Sequence, residues 1–550
     1  MNITFYHKTR FQVFMSVFGC LLLSLPIYAQ DSTKKQSVVI TSAYKPVLKP
    51  SAKLQFTASP PAPDGKLPSL NYLLPIQNIT IRLQPFALKP IALPADSLQI
   101  IRNNNYIKLG YGNYNTPYAE AGFTQGTPGK ALFNLFVNHL SQTGPLRAQK
   151  YGNTSILATV NTIKNNLELY AKAGYQRQHF YLYGPDPLLA GAKIDSLKKP
   201  YQIFTIKTGF RNAVPDENGI TYNPEIHVQA LNDLRSTEWN TSIDIPLNVR
   251  FNDQLNFTVR ANADLTWFQP VAQPSYTNHL FFIQPSFTFK NEQVKLLAGI
   301  RPTWDQGVAH VLPDLQLDFF FSEYKTTVTG GITGRIQKNN YLSLSRQNPW
   351  IEQPLQQINT KVIEAFGGIK GMVVKGLSYR LQVGYAEFSE MPLFRNVIRP
   401  SVFDLVYEDK LGSIHTQAEL GFVLQDKLTA TAQLDWYNYF SQQSEKNAWH
   451  LIPLQFNTSL HWKPINKLIV HADLFMWQGP LYLKSLPDQE GRLPAVADLN
   501  IGAEVNLVKN LSVWLQMNNL LNQTYQRWNN YQQLGFQVLG GIKLTFDQKQ

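Results

Sequence analysis

The 550-residue chain contains a single cysteine, Cys20. One thiol makes no disulfide framework and no thiolate metal centre. Charge is also scarce: 16% of residues are Asp, Glu, Lys or Arg, against about 25% in a soluble globular chain. Beyond the N-terminal leader no apolar run approaches the ~18 residues of a helical membrane span. A chain of this kind can cross a membrane only as a closed barrel, because only helices and barrels satisfy the backbone in lipid. There is no dense basic run of the nucleic-acid-binding type. The ten histidines are scattered, with no His-x-x-x-His pair and no carboxylate cluster, so neither a metal nor a cofactor is expected.

What the chain has in quantity is apolar and aromatic side chains, 44% and 12%, set among many Asn, Gln, Thr and Tyr. A water-filled membrane barrel divides its residues in this way, apolar and aromatic outside and neutral polar inside. The start reads as a secretory signal. His7, Lys8 and Arg10 form its basic region, and Phe11 to Leu25 its apolar stretch. Ile27-Tyr28-Ala29 precede the cleavage expected before Gln30. The apolar stretch is short for a ~20-residue anchor. Phe18 occupies a position where lipoprotein acylation at Cys20 wants a small residue, so Cys20 is read as leaving with the leader. A mature chain without thiols suits an oxidising periplasm. Loss of Lys8 and Arg10 lowers the formal charge from +13 by two, to +11. Such an excess can attract lipopolysaccharide phosphates, although a scatter of lysines over loops and turns explains more of it.

Residues 30 to about 103 carry Pro46, Pro50, Pro60, Pro61, Pro63, Pro68, Pro75, Pro85, Pro90 and Pro94. Proline at this density removes donors and blocks helices and central strands. An extended segment is expected there, periplasmic or threaded into a lumen. From Tyr106 onward the pattern alternates with period two, as strand side chains do. Leu255, Phe257, Val259, Ala261, Ala263, Leu265 and Trp267 share one face, and Asn256, Thr258, Arg260, Asn262, Asp264 and Thr266 the other. The same alternation recurs at Leu167 to Tyr175, Leu377 to Tyr385, Ala418 to Phe422, Leu428 to Trp436, Leu454 to His461 and Leu511 to Asn518. Aromatics gather at strand ends, among them Trp267, Trp436, Tyr437, Tyr439, Phe440, Trp462 and Trp477, as interfacial girdles require. Short turns at Asn165-Asn166, Asp409 to Gly412 and Pro464 to Asn466 alternate with long gaps at 180–200, 337–358 and 478–492. The reading is an all-β, antiparallel transmembrane barrel over 104–550 with about 22 strands, since bacterial barrels are even-numbered. The segment near 402–408 fits the wall least well. No propeller repeat of ~40–50 residues is present.

The last strand places Phe536, Val538, Gly540, Ile542, Leu544 and Phe546 on one face and closes on an aromatic. It resembles the signal read by the barrel-assembly machinery. Upstream, Asn518-Asn519-Leu520-Leu521-Asn522-Gln523-Thr524-Tyr525, with Trp528, Tyr531 and Gly535, resembles the closing hairpin of TonB-dependent receptors. That resemblance covers about 40 residues closely and the barrel loosely. Val38-Val39-Ile40-Thr41, ahead of Ser42 to Pro46, resembles a TonB box, which pairs as an added strand with TonB. Receptors of this family carry a plug of well over a hundred residues between box and barrel. Only 47 to about 103 are available here, so the chain resembles a plugless relative. A wide lumen would then need filling, by this segment, by loops or by a partner protein.

His471 and Asp473 share one expected lumenal face, which is read as a lumenal polar pair rather than part of a catalytic triad. No enzyme activity is expected. Arg260, Asp264, Asp435, Lys172, Glu168 and Arg380 are expected to pair across the interior. The resemblance implies an outer-membrane transport or receptor protein. The alternative is a non-transporting accessory subunit of an outer-membrane assembly or secretion complex. Expected partners are outer-membrane lipid and lipopolysaccharide, the assembly machinery during biogenesis, and TonB or an outer-membrane lipoprotein. Nucleic acid is not among them.

Overall fold

A computed structural model of the chain describes residues 105–546, apart from 128–129, 213–218, 272, 322–324, 398, 426 and 484–489. The leader, the proline-rich segment and Val38 to Thr41 lie outside the described residues. The wall consists of 22 antiparallel strands. In chain order they are β1 Asn105–Gly112, β2 Thr116–Thr127, β3 Ala131–Thr143, β4 Lys150–Lys164, β5 Leu167–Tyr181, β6 Lys198–Asn212, β7 Glu225–Asn232 and β8 Ser236–Arg250. Next come β9 Leu255–Pro270, β10 Tyr276–Lys290, β11 Val294–Asp305, β12 Val308–Phe321, β13 Thr326–Gln337, β14 Thr360–Val374 and β15 Leu377–Ser389. The last are β16 Leu411–Leu424, β17 Leu428–Phe440, β18 Leu454–Ile465, β19 Leu468–Trp477, β20 Val496–Val508, β21 Leu511–Asn518 and β22 Gln537–Phe546. A short piece, Ile220–Tyr222, precedes β7 and pairs with the same neighbour, β8. Residues Asp404–Glu408 are not part of the wall; they pair with Met391–Arg395 in a separate hairpin.

The sheet closes on itself. β22 pairs with β1 from Asn105 opposite Phe546 to Gly112 opposite Leu539. Closure leaves no free edge. At the end where Asn105 and Phe546 meet, connections are tight. Asn165 and Asn166 both take positive φ, 47° and 67°, the two-residue turn that matches strand twist. Asn252 and Asn291 solve the same problem differently: each side-chain carbonyl accepts from the backbone N–H groups two and three residues on, at 2.7–2.9 Å. Most of the long connections stand at the other end. The expected turn at Asp409 to Gly412 belongs there instead, because Leu411 and Gly412 already lie in β16.

The register fixes which side chains face out. Val259 stands opposite Leu247 and Pro285, whereas Thr258 stands opposite Asn248 and Ser286 and hydrogen-bonds Asn248 at 3.2 Å. Leu169, Phe204, Ile245, Ile283, Phe287, Leu381, Leu420 and Ile542 are all exposed on the outer face. In water so continuous an apolar belt would aggregate, whereas in hydrocarbon it is the solvated surface. The barrel is a transmembrane barrel, and the chain is a protein of the outer membrane. Trp267, Trp436 and Trp462 are exposed on that outer face, but Trp477 is buried, and Tyr437 stacks on lumenal His415 with centroids 5.8 Å apart. Those two, and Tyr439, which stacks on Tyr437 and has a buried hydroxyl, are not girdle residues. Strand alternation sends them inward, which clustering at strand ends could not reveal.

Candidate functional site

Inside the wall most charges are paired across strands. Arg211 meets Glu168 at 2.6 Å, Arg260 meets Asp244 at 2.7 Å, Lys338 meets Asp264 at 3.2 Å and Lys543 meets Glu504 at 2.8 Å. Glu364 holds both Arg335, at 3.6 Å, and His415, at 3.1 Å. Of the expected lumenal charges, Glu168, Arg260 and Asp264 are thus in ion pairs. Arg380 stands opposite Glu419, and Asp435 accepts from Gln433 at 2.9 Å. Lys172 is exposed to the lumen and stands opposite Lys207. His471 lies opposite His461, and Asp473 opposite Ser459, on facing strands. The His471 ring rests on Gly502, where a Cβ would stand 2.0 Å from the ring. Among the described residues no three His, Cys, Asp or Glu side chains converge as metal ligands.

The distinctive chemistry is at the outer mouth. The loop 338–359 folds into it through an α-helix, α1, Tyr341–Gln347. Asn340 caps α1 by accepting from the Ser343 N–H, and the Ser343 hydroxyl accepts from the Asn340 N–H. Buried Glu238 on β8 accepts from the first two helical N–H groups, Tyr341 at 2.6 Å and Leu342 at 2.9 Å, and from Gln357 at 2.9 Å. Asn278 and Asn359 exchange amide hydrogen bonds at 3.0 and 2.7 Å, tying the same loop to β10. These groups are satisfied by specific partners far away in sequence, which is why composition gave no hint of them.

Four further loops meet this one. Trp350 stacks on Tyr531 with ring centroids 3.8 Å apart, and Tyr183 packs edge-on against Tyr531 at 4.9 Å. Phe394, Phe403 and His450 surround Trp528 at 5.1, 5.3 and 5.1 Å. These residues come from the β5–β6, β13–β14, β15–β16, β17–β18 and β21–β22 connections. Those connections are distributed around the ring, so their aromatic residues can meet only over the mouth. Glu408 locks two of them: its carboxylate accepts from the backbone N–H groups of Gln443, Ser444 and Glu445 at 2.6–2.9 Å. Tyr341, Phe403 and Tyr531 are completely buried. The loops therefore form a packed lid with its own core, separate from the lipid-facing surface.

Within the lid the last connection carries the most unusual group. Arg527 sits on the hairpin Gln526–Trp528 and Tyr531–Gln532, 6% exposed, its guanidinium 4.5 Å from the Trp528 ring. Its Nε and Nη1 have no hydrogen-bond partner. Burial pushes its pKa down to about 9. Buried His450 faces the Phe394 carbonyl through Nδ1 at 2.8 Å, so that nitrogen carries the proton. Burial, with the nearby Arg527 charge, pushes its pKa down to about 3. Sequence reading singled out Trp528 and Tyr531 but passed over Arg527, because an arginine in a polar loop looks ordinary until its surroundings are seen.

The same connection explains its own motif. Asn519 and Asn522 both take positive φ, 47° and 48°, a conformation that asparagine tolerates better than most residues. Asn519 donates to the carbonyls of Gln523 at 2.7 Å and Leu534 at 3.0 Å, and Asn522 accepts from the Phe536 N–H at 2.8 Å. Tyr525 donates to Asp498 at 2.7 Å. The motif is a tie that folds the loop back onto the wall. Of the residues expected to form an assembly signal, Val538, Gly540, Ile542, Leu544 and Phe546 lie on β22, and Phe536 immediately precedes it.

No family model and no curated protein matches the chain. Solved structures do. The iron transporter FrpB of Neisseria meningitidis superposes with a TM-score of 0.62 at 10% identity, over 80% of this chain and 81% of that one. The siderophore receptor PirA of Acinetobacter baumannii gives 0.63 at 9% identity, over 80% of each chain. The ferric enterobactin receptor PfeA of Pseudomonas aeruginosa gives 0.60 at 12% identity, again over 80% of each. The closed wall, its 22 strands and the closing hairpin together give this chain the barrel fold of the TonB-dependent siderophore receptors.

Proposed function

We propose that this chain is an outer-membrane receptor that binds a solute in its loop lid and admits it to the lumen. The observation that carries the reading is the lid itself, five connections interlocked by buried aromatics above a polar, charge-paired interior. A barrel serving only as a scaffold has no need to order its outer loops around a shared core. Ligand sites favour such places, where aromatic side chains and a few placed polar groups meet. The barrel likeness to an iron transporter and two siderophore receptors supports the same reading. Energy would come through Val38 to Thr41, whose β-branched residues suit strand addition to TonB, and residues 30–103 would stand where those receptors carry a plug.

Affinity purification of the protein from native outer membranes, with identification of bound proteins and small molecules, tests this. Recovery of TonB or a surface lipoprotein is expected, and deletion of 38–41 should abolish the TonB association while leaving the folded barrel. Stoichiometric recovery of export machinery, with no effect of that deletion, would replace the receptor reading with an accessory role.

A further inference from the structure

We propose that Arg527 is the anion-binding group of a ligand site in the lid, and that the ligand presents a carboxylate or a phosphate. This deepens the receptor reading and rests on it only for placing the ligand at the outer mouth. A guanidinium offers five N–H donors in a planar fork. Two of the three nitrogens of Arg527, Nε and Nη1, are removed from solvent and bonded to nothing. No ion pair among the described residues includes it. The charged and titratable side chains that act on it are Tyr439 and His450. Neither supplies a negative charge: Tyr439 is a phenol, and burial with the nearby Arg527 charge keeps the His450 imidazole neutral.

The neighbourhood is short of acceptors in general. The Tyr439 hydroxyl and the Trp528 indole N–H are also buried without a partner. Guanidinium, phenol and indole thus leave donors unused in one corner of the lid. Two other arginines of the lid are matched: Arg395 has Glu445 at 3.1 Å, and Arg399 has Glu352 at 3.3 Å. A buried cation without a counter-charge is strongly destabilising, and a removed partner explains it better than a missing one. Nε and Nη1 lie on different edges of the guanidinium, and the two coplanar oxygens of a carboxylate or phosphate fit either edge, Nε with Nη2 or Nη1 with Nη2. The guanidinium lies over the Trp528 ring, 4.5 Å from its centroid, so an anion bound there would alter the surroundings of that indole.

The test uses the full-length protein extracted from membranes into detergent. Citrate, inorganic phosphate and chloride are titrated at matched ionic strength while tryptophan fluorescence and Tm are followed. Citrate or phosphate should give a saturable fluorescence change, through Trp528, and a rise in Tm that chloride does not give. The tighter of the two identifies the group. Arg527→Met should weaken binding about tenfold or more, the size of one lost charge-assisted pair. Arg527→Lys, which keeps the charge and loses the fork, should fall between, and Tyr439→Phe should weaken binding with Arg527 intact. Should the Met variant fail to fold, the Lys and Phe variants carry the test. Equal responses to all three anions, no saturation with any, or unchanged binding in the variants would overturn the proposal. Saturable binding to a protein that recovers no TonB or lipoprotein would leave the site standing and remove the receptor reading.

Discussion

Trp350 is the side chain whose loss should open the lid without breaching the wall. It is 3% exposed, stacked on Tyr531, edge-on to Phe180 at 5.9 Å and Tyr183 at 6.0 Å, and its indole donates to the Tyr181 carbonyl at 3.0 Å. Burying a tryptophan removes about 200 Å² from water, worth about 5 kcal/mol at 25 cal/mol per Å². Measured Trp→Ala losses of about 3–5 kcal/mol agree. Trp350 lies in no strand and meets the wall at the outer end of β5, through Phe180 and Tyr181, so Trp350→Ala should leave a heat-modifiable barrel. A reporter is available because the chain has no cysteine but Cys20. Ser401, completely buried and bonded through its carbonyl to Tyr531, becomes the probe as Ser401→Cys. Labelling of intact cells with an impermeant maleimide should accelerate by about two to three orders of magnitude in the Trp350→Ala background, at 1.4 kcal/mol per tenfold. Unchanged labelling of a correctly folded barrel would refute the claim that this aromatic stack holds the mouth shut. Loss of the folded barrel would show that the lid and wall are one cooperative unit.

Val259→Arg should reduce the yield of folded barrel far more than Thr258→Arg, because Val259 faces lipid, where Arg costs about 2–4 kcal/mol near the midplane, and Thr258 faces the lumen; equal yields on heat-modifiability gels would contradict the assigned faces. The lid should also loosen in acid through His450. Its folded pKa of about 3 lies below an unfolded value of about 6.5, so its contribution is complete above pH 6.5 and is lost as pH falls towards 3. At pH 5 the loss is about 2 kcal/mol, read as faster Ser401→Cys labelling that His450→Phe makes independent of pH. Deleting residues 47–100 should raise single-channel conductance in planar bilayers and sensitise cells to large antibiotics; no change in either would move that segment from the lumen to a periplasmic docking role.

The wall was legible in the sequence because lipid enforces a simple rule on every strand. Leu255 to Trp267 alternates without a break, since each outward position meets hydrocarbon and each inward one meets water or an ion pair. The strand number followed from the same rule, and Asp404–Glu408 stood apart because it pairs inside the mouth, where no lipid disciplines its faces. Partners were not legible. Glu168 was visibly lumenal, but nothing near it in sequence pointed to Arg211, and Glu238 gave no sign that it would hold the first turn of a helix a hundred residues away. The outer loops follow the logic of a globular core, in which burial depends on contacts between distant segments. Trp477 illustrates the boundary: at the end of a strand it resembles a girdle residue, and only the packing of Val496 and Tyr525 against it shows that it points inward.

The division between wall and lid also limits what kinship of fold can say about the ligand. At 9–12% identity the superposed receptors share the barrel fold, whose strand number and closure here follow from spanning a membrane with a sheet of this size. The Asn519 to Asn522 tie belongs to the same class of feature, because its hydrogen bonds go to its own loop and to the neighbouring strand. Ligand choice must therefore rest on groups that the wall does not require. In the lid most polar groups answer a structural need: Glu238 caps α1, Glu408 joins two loops, and Asn278 with Asn359 fastens a third. Arg527 answers none of these. Replacing it with a neutral side chain should cost the empty protein little or even stabilise it, since an unpaired buried charge is removed, whereas replacing Glu408 with Ala should release two loops together. A side chain that is unfavourable in the empty protein and buried in a packed loop is best explained by what binds to it.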